Sequence, residues 1–278
     1  MSSGVTCIAC AIAGAAVLRM VVSSDCMKKA TATSHGSRRL MVSDGAAVVE
    51  TSGDMVIPLY DNDPFEARFR PYVTWSLIAL NLAAFFAQLV SSDTDALAFT
   101  WGVIPAAIVV APSVDELRAY ATLLTAMFLH GGWLHLLGNM IYLHVFGDNI
   151  EEALGRGRFL AFYLLSGIAA ALVYVACNLG SQIPMVGASG AISGVLAAYL
   201  MLKPCAKVTI LLFFRPVRLK AMWVIGLWVV LQLFDLMYAY GEDEVAYSAH
   251  FGGLVAGAVL FFVLRPSNIG LFECVEGN

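Results

Sequence analysis

Ser189 stands in the run Val186-Gly187-Ala188-Ser189-Gly190-Ala191, flanked by small residues at the head of an apolar stretch. Such a serine has two uses. It can be a nucleophile whose neighbours leave room for a substrate, or a small hydroxyl that lets two membrane helices approach closely. Taken alone, the second use is the commoner. His250, in Ala249-His250-Phe251-Gly252-Gly253, supplies what the first use needs, because a neutral imidazole can take the hydroxyl proton during attack on a carbonyl. The segment 130–139 adds His130, His135 and Asn139. His135 and Asn139 are four apart and share a helical face, so both could donate to the oxyanion of acyl transfer, alongside the backbone N–H of Ser189. His130 falls about a turn and a half earlier, near the rim, where a supporting role and a simple interfacial anchor are equally open.

These residues need a scaffold, and the composition defines it. Of the 278 residues, 60% are hydrophobic and 13% charged, and the mean hydropathy is +0.79. That balance lies outside the soluble globular range and indicates a polytopic membrane protein with the lipid bilayer as its solvent. No basic stretch points to nucleic acid. Six apolar runs approach the ~20 residues needed to cross a bilayer: 72–90, 126–146, 159–179, 187–202, 221–240 and 247–264. The expected fold is therefore all-α, a polytopic bundle of six transmembrane helices. The connection 91–125 is too long for a turn and too broken to span, so it reads as an interfacial loop with short amphipathic helices.

Lys and Arg set the expected orientation. Arg68, Arg70, Arg156, Arg158, Lys203, Lys207, Arg215, Arg218, Lys220 and Arg265 fall in alternate gaps, whereas the intervening gaps hold Arg118 and acids such as Glu242. The positive-inside rule places both ends of the bundle in the cytoplasm and puts Ser189, His250, His135, Asn139 and His130 in the outer part of the membrane. Polar groups from three spans then converge at one depth, where each is costly unless it is used. Gly190, Gly194 and Ala198 on the fourth span match Gly253 and Gly257 on the sixth, a small-xxx-small spacing that brings two backbones together and His250 to Ser189.

The remaining segments are read more simply. Residues 1–54 form an N-terminal extension with no positive charge before its apolar run until Arg19; it reads either as an extra amphipathic or spanning segment or, the reading preferred, as translated upstream sequence with the functional start at Met55. Residues 55–266 form the membrane domain and 267–278 a short cytoplasmic tail. The six cysteines, Cys7, Cys10, Cys26, Cys177, Cys205 and Cys274, show no repeated spacing, so no disulfide framework is expected, and the Cys7/Cys10 pair reads as chance. His144 and Asp235 are assigned structural or interfacial positions.

At these residues the chain resembles the rhomboid family of intramembrane serine proteases. The runs His130-Gly-Gly-Trp-Leu-His135-Leu-Leu-Gly-Asn139, Gly187-Ala-Ser189-Gly190 and Ala249-His250-Phe-Gly-Gly253 with Gly257 occur in the family's order. So do Phe146-Gly-Asp-Asn-Ile-Glu151, Gly155, Arg158-Phe159 and Phe234-Asp235-Leu236, covering roughly 55–266. The resemblance implies a Ser189/His250 dyad without a third acidic member and an oxyanion site at His135 and Asn139. It also implies transmembrane protein substrates cut near the outer face, a mobile fifth span, and a first loop embedded in the bilayer surface. Two departures stand out: Ser193 occupies a position often aromatic beneath the catalytic histidine, and the Trp-Arg pair often seen in the first loop is missing from 91–125.

Rival chemistries fit less well. A metalloprotease of the H-E-x-x-H type needs a glutamate after its first histidine, and Gly131 follows His130. No metal and no cofactor is expected. A transporter would bring paired carboxylates within the spans or an inverted repeat, and neither is found. The alternative kept open is a non-catalytic protein of the same fold that binds or chaperones client transmembrane helices. The expected membrane is the bacterial inner membrane.

Overall fold

The computed structural model describes residues 57–61, 69–91, 93–109, 116–212, 215–238, 246–272 and 274. The 1–54 extension lies outside them. In chain order the elements are β1 (Ile57–Asp61), α1 (Tyr72–Val90), α2 (Thr94–Trp101), α3 (Pro105–Val109), α4 (Glu116–Thr125), a 3-10 turn (Ala126–Phe128), α5 (Trp133–Leu154) and α6 (Arg156–Cys177). Then follow α7 (Ser189–Leu202), β2 (Lys207–Leu212), β3 (Arg215–Lys220), α8 (Ala221–Tyr238) and α9 (Tyr247–Leu264). The described chain is mostly helical, and α1, α6 and α9 are long and apolar enough to cross a membrane.

The central post is α7. Every residue from Gly190 to Tyr199 is buried, with α5, α6 and α9 packed around it. Small side chains make this possible: Gly190 meets Ala170 of α6, and Gly194 meets Ser166. At 14 residues α7 is about 21 Å long at 1.5 Å per residue, shorter than a ~30 Å hydrocarbon core. Its first residue, Ser189, is half-buried, while large side chains such as Phe146, Phe159, Tyr163, Tyr199 and Phe261 fill the core.

Two expectations need correction here. The second apolar run does not begin its helix at 126. Gly131 and Gly132 interrupt it, Gly132 being fully extended, so α5 starts at Trp133 and His130 sits on the loop before it. The all-α reading also misses a three-stranded antiparallel sheet, β1-β2-β3, at the end of the bundle opposite Ser189. Val208 and Ile210 of β2 pack into the core, Thr209 between them is buried as well, and Lys207 at the start of the strand is exposed. Strand β3 runs directly into α8, and the Ala221 N–H donates to the carbonyl of Ala206 at 2.8 Å.

The first loop folds as three short helices, α2 to α4, as its broken hydropathy predicts. Asp93 caps α2 by accepting from the Ala96 N–H at 2.8 Å. Val103 and Met185 exchange backbone hydrogen bonds at 3.0 and 2.9 Å, stapling this loop to the segment that leads into α7. A Trp-Arg pair absent as neighbours in sequence forms in space, since the Arg118 guanidinium lies 5.5 Å from the centre of the Trp101 ring.

At the sheet end, the buried Glu151 of α5 takes the first N–H groups of α1. Its carboxylate accepts from Val73 N–H at 3.0 Å, Thr74 N–H at 2.7 Å and the Thr74 hydroxyl at 2.8 Å. These are donors that a helix start leaves without intrahelical partners. The tail beyond α9 is not loose: Phe272 N–H donates to the Met201 carbonyl at 2.7 Å, and Cys274 is disulfide-bonded to Cys205 with a Cα–Cα distance of 5.1 Å. That bond corrects the expectation of no disulfides; it joins residues 69 apart, a relation that spacing along the chain does not reveal.

Candidate active site

Ser189 and His250 are brought together by glycine. A Cβ on Gly253 would run into the carbonyl of Gly190, and one on Gly257 into the backbone of Gly194. No other residue lets α7 and α9 touch backbone to backbone in this way. The result is a direct contact: His250 Nε2 lies 2.7 Å from Ser189 Oγ. Both residues are half-buried, so the pair is recessed without being sealed.

The approach to Ser189 is shaped by Gly187, which has φ +128°, a conformation that L side chains rarely adopt. Its N–H donates to the carbonyl of Ala126 at 2.8 Å, fixing the strand that enters α7. A side chain there would also collide with His135, whose Nε2 lies 2.7 Å from the position a Cβ would occupy; Ser189 Oγ lies 3.8 Å from the same point. His135 Nε2 and the serine hydroxyl thus border one small space. His135 Nδ1 faces the Gly131 N–H at 3.5 Å, an arrangement that puts the ring proton on Nε2, toward that space.

Asn139, one turn below His135, is buried, and its Nδ2 has no hydrogen-bond partner among the described residues. A buried donor without an acceptor costs stability and is suited to a charge that appears only during reaction. At the start of α7 the backbone N–H groups of Ser189 and Gly190 have no intrahelical acceptor, adding donors at the same level. His130 is brought close but stands behind: its ring meets the His135 ring edge to face at 5.2 Å. Gln88 of α1 fixes its backbone, accepting from the His130 N–H at 3.0 Å and donating to its carbonyl at 3.2 Å.

Ser193 does not reach toward His250. Its hydroxyl donates to the Ser189 carbonyl at 2.7 Å inside α7. The aromatic support of His250 comes instead from Trp228 of α8, 6.0 Å between ring centres, and from Tyr247 on its own helix at 6.3 Å. Sequence reasoning also missed Gln232 of α8, whose Oε1 lies 2.5 Å from His250 Nδ1. The available signal is a glutamine inside an apolar run, three residues before Asp235. Among the described residues no group of three or more His, Cys, Asp or Glu is placed to hold a metal ion.

A helical membrane protein with a serine and a histidine in hydrogen-bond contact across a glycine seam is the class that this fold and site define. Residues 117–267, more than half of the chain, match the family described as Rhomboid domain, and the chain belongs to the rhomboid family. It is similar to RHOMBOID-like protein 5 of Arabidopsis thaliana, with 36% identity over 146 residues, 52% of this chain and 44% of that protein. It is also similar to Rhomboid protease GluP of Bacillus subtilis strain 168, 31% over 150 residues, 54% of this chain and 27% of that protein. A third relative is Rhomboid protein 1, mitochondrial, of Saccharomyces cerevisiae, 33% identical over 150 residues, 52% of this chain and 42% of that protein. The matched stretch spans less than half the length of each of these three.

Proposed function

We propose that the chain is an intramembrane serine endopeptidase that cleaves transmembrane protein substrates near the outer face of the membrane. The observation that carries this reading is the 2.7 Å contact between His250 Nε2 and Ser189 Oγ, made inside a bundle with three helices long and apolar enough to cross a membrane among the described residues. In the first step Ser189 Oγ attacks the scissile carbonyl carbon while His250 Nε2 takes the hydroxyl proton. The carbonyl oxygen becomes an oxyanion, which Asn139 Nδ2, His135 Nε2 and the Ser189 N–H stabilise. His250 then returns the proton to the leaving amine, and the acyl-serine is released when His250 activates a water in the same way.

The recessed start of α7 supports a bilayer-level site, with α1, α5, α6, α7, α8 and α9 as six crossings and the cationic sheet end toward the cytoplasm. A helix hides its carbonyls from a nucleophile, so substrates with Gly, Pro or polar residues near their outer end, and a small residue before the scissile bond, fit best. An integral membrane location follows from the family and the apolar helices; assignment to a bacterial inner membrane is part of the proposal and is read by fractionation.

The test is cleavage of a model transmembrane substrate by purified protein. Wild type should cut, and Ser189→Ala and His250→Ala should each lose at least about 1,000-fold in rate. Undiminished cleavage by either variant overturns the dyad. A folded wild type that leaves the substrate whole but binds it would favour the non-catalytic client binder.

A further inference from the structure

We infer that Gln232 is a positioning residue that holds His250 in its reactive tautomer, and that it does so from the outer half of a helix whose buried side chains all lie at its other end. The inference rests on the proposed Ser189/His250 chemistry. An imidazole can accept the Ser189 proton at Nε2 only if its own proton is on Nδ1. Gln232 Oε1, 2.5 Å from Nδ1, is an acceptor only, and so selects that form; a third group that orients the base is how serine-histidine pairs are usually kept productive. No carboxylate takes this place, so the histidine gains an orienting partner without a second charge inside the bundle.

The location of Gln232 adds a consequence. Helix α8 is anchored by Ala221, Val224 and Ile225, all buried and all in its first two turns. From Gly226 onward every described side chain is half-buried or exposed, and Leu227, Val230 and Phe234 face outward. A polar tie between that outer half and the body runs from Gln232 to His250. Beside it lies a pocket of about 10 Å³ bordered by Trp228, His250 and Phe251, with room for at most one water. Sideways displacement of the outer half of α8 removes the acceptor from Nδ1 and leaves His250 free to take the unproductive tautomer. The dyad is therefore complete only when α8 is seated.

The experiment uses the purified full chain in detergent, labelled with ¹⁵N at histidine, with His250 assigned by comparison with His250→Gln. Wild type should show Nδ1 protonated and Nε2 bare at His250, and Gln232→Leu should show a mixture of tautomers. In cleavage assays Gln232→Leu should lose about 10- to 100-fold in kcat with KM within about twofold, whereas Gln232→Glu, which keeps the acceptor, should return to within about threefold of wild type. A wild-type His250 protonated on Nε2, an unchanged kcat in Gln232→Leu, or equal losses in the Leu and Glu variants would overturn the inference. A wild type that cuts nothing counts against the protease reading alone, because the tautomer is measured without substrate.

Discussion

Gly253 and Gly190 meet backbone to backbone, and the room for a side chain at their contact is nil. The atom in the way is a carbonyl of a buried helix, which has no alternative position. Gly253→Val should therefore force α9 off α7, costing about 3 kcal/mol, the upper end of overpacking effects. Because the same seam brings His250 to Ser189, cleavage should fall even in the fraction that stays folded. Thermal unfolding of the detergent-solubilised variant, run beside Gly226→Ala, reads this directly: Gly226 has no neighbour within 4 Å of a built Cβ, and that variant should stay close to wild type.

Asn139 offers a buried Nδ2 without a partner. If that donor serves the oxyanion, it acts in the transition state more than in substrate binding. Asn139→Ala should lower kcat by about 100- to 1,000-fold and leave KM nearly constant. Steady-state kinetics with a model transmembrane substrate decide it, and a rise in KM with kcat intact would assign Asn139 to substrate binding.

Glu151 is buried and receives three hydrogen bonds from the start of α1. Its removal leaves two backbone donors and a hydroxyl unpaired. Glu151→Ala should cost about 3 kcal/mol, visible as a lowered midpoint of thermal unfolding. The dyad lies at the other end of the bundle, so the folded fraction should retain its turnover per molecule.

The Cys205–Cys274 bond holds the tail against the bundle, where Ile269 and Leu271 pack on the core. Cys205→Ser should open the chain beyond Arg265 to limited proteolysis while cleavage of a substrate by the dyad continues at the wild-type rate. Digestion followed by mass measurement, with and without reductant, compares the two forms.

What was legible in the sequence follows from what is local. The spacing of Gly190 and Gly194 against Gly253 and Gly257 carries the α7/α9 seam, and a polar residue near the head of each helix carries the dyad. The start of α5 is not legible because Ala126 to Leu129 is as apolar as a helix, and only the Gly131-Gly132 pair marks the break. The alternation of Val208 and Ile210 with Lys207 and Thr209 was present but hidden under the charge count of the same segment. Gln232, the Trp101/Arg118 stack and the Cys205–Cys274 bond were out of reach for one reason. Each joins residues whose proximity is created by packing, and no spacing along the chain encodes it.

The most direct measurement of the central claim is reaction of the folded protein with a fluorophosphonate, followed by mass analysis of the peptide that contains Ser189. A serine whose proton can pass to His250 should form a covalent adduct at Ser189 Oγ, and His250→Ala should abolish it without unfolding the protein. An adduct absent from folded wild type, or one that persists at the same rate in His250→Ala, would contradict the account.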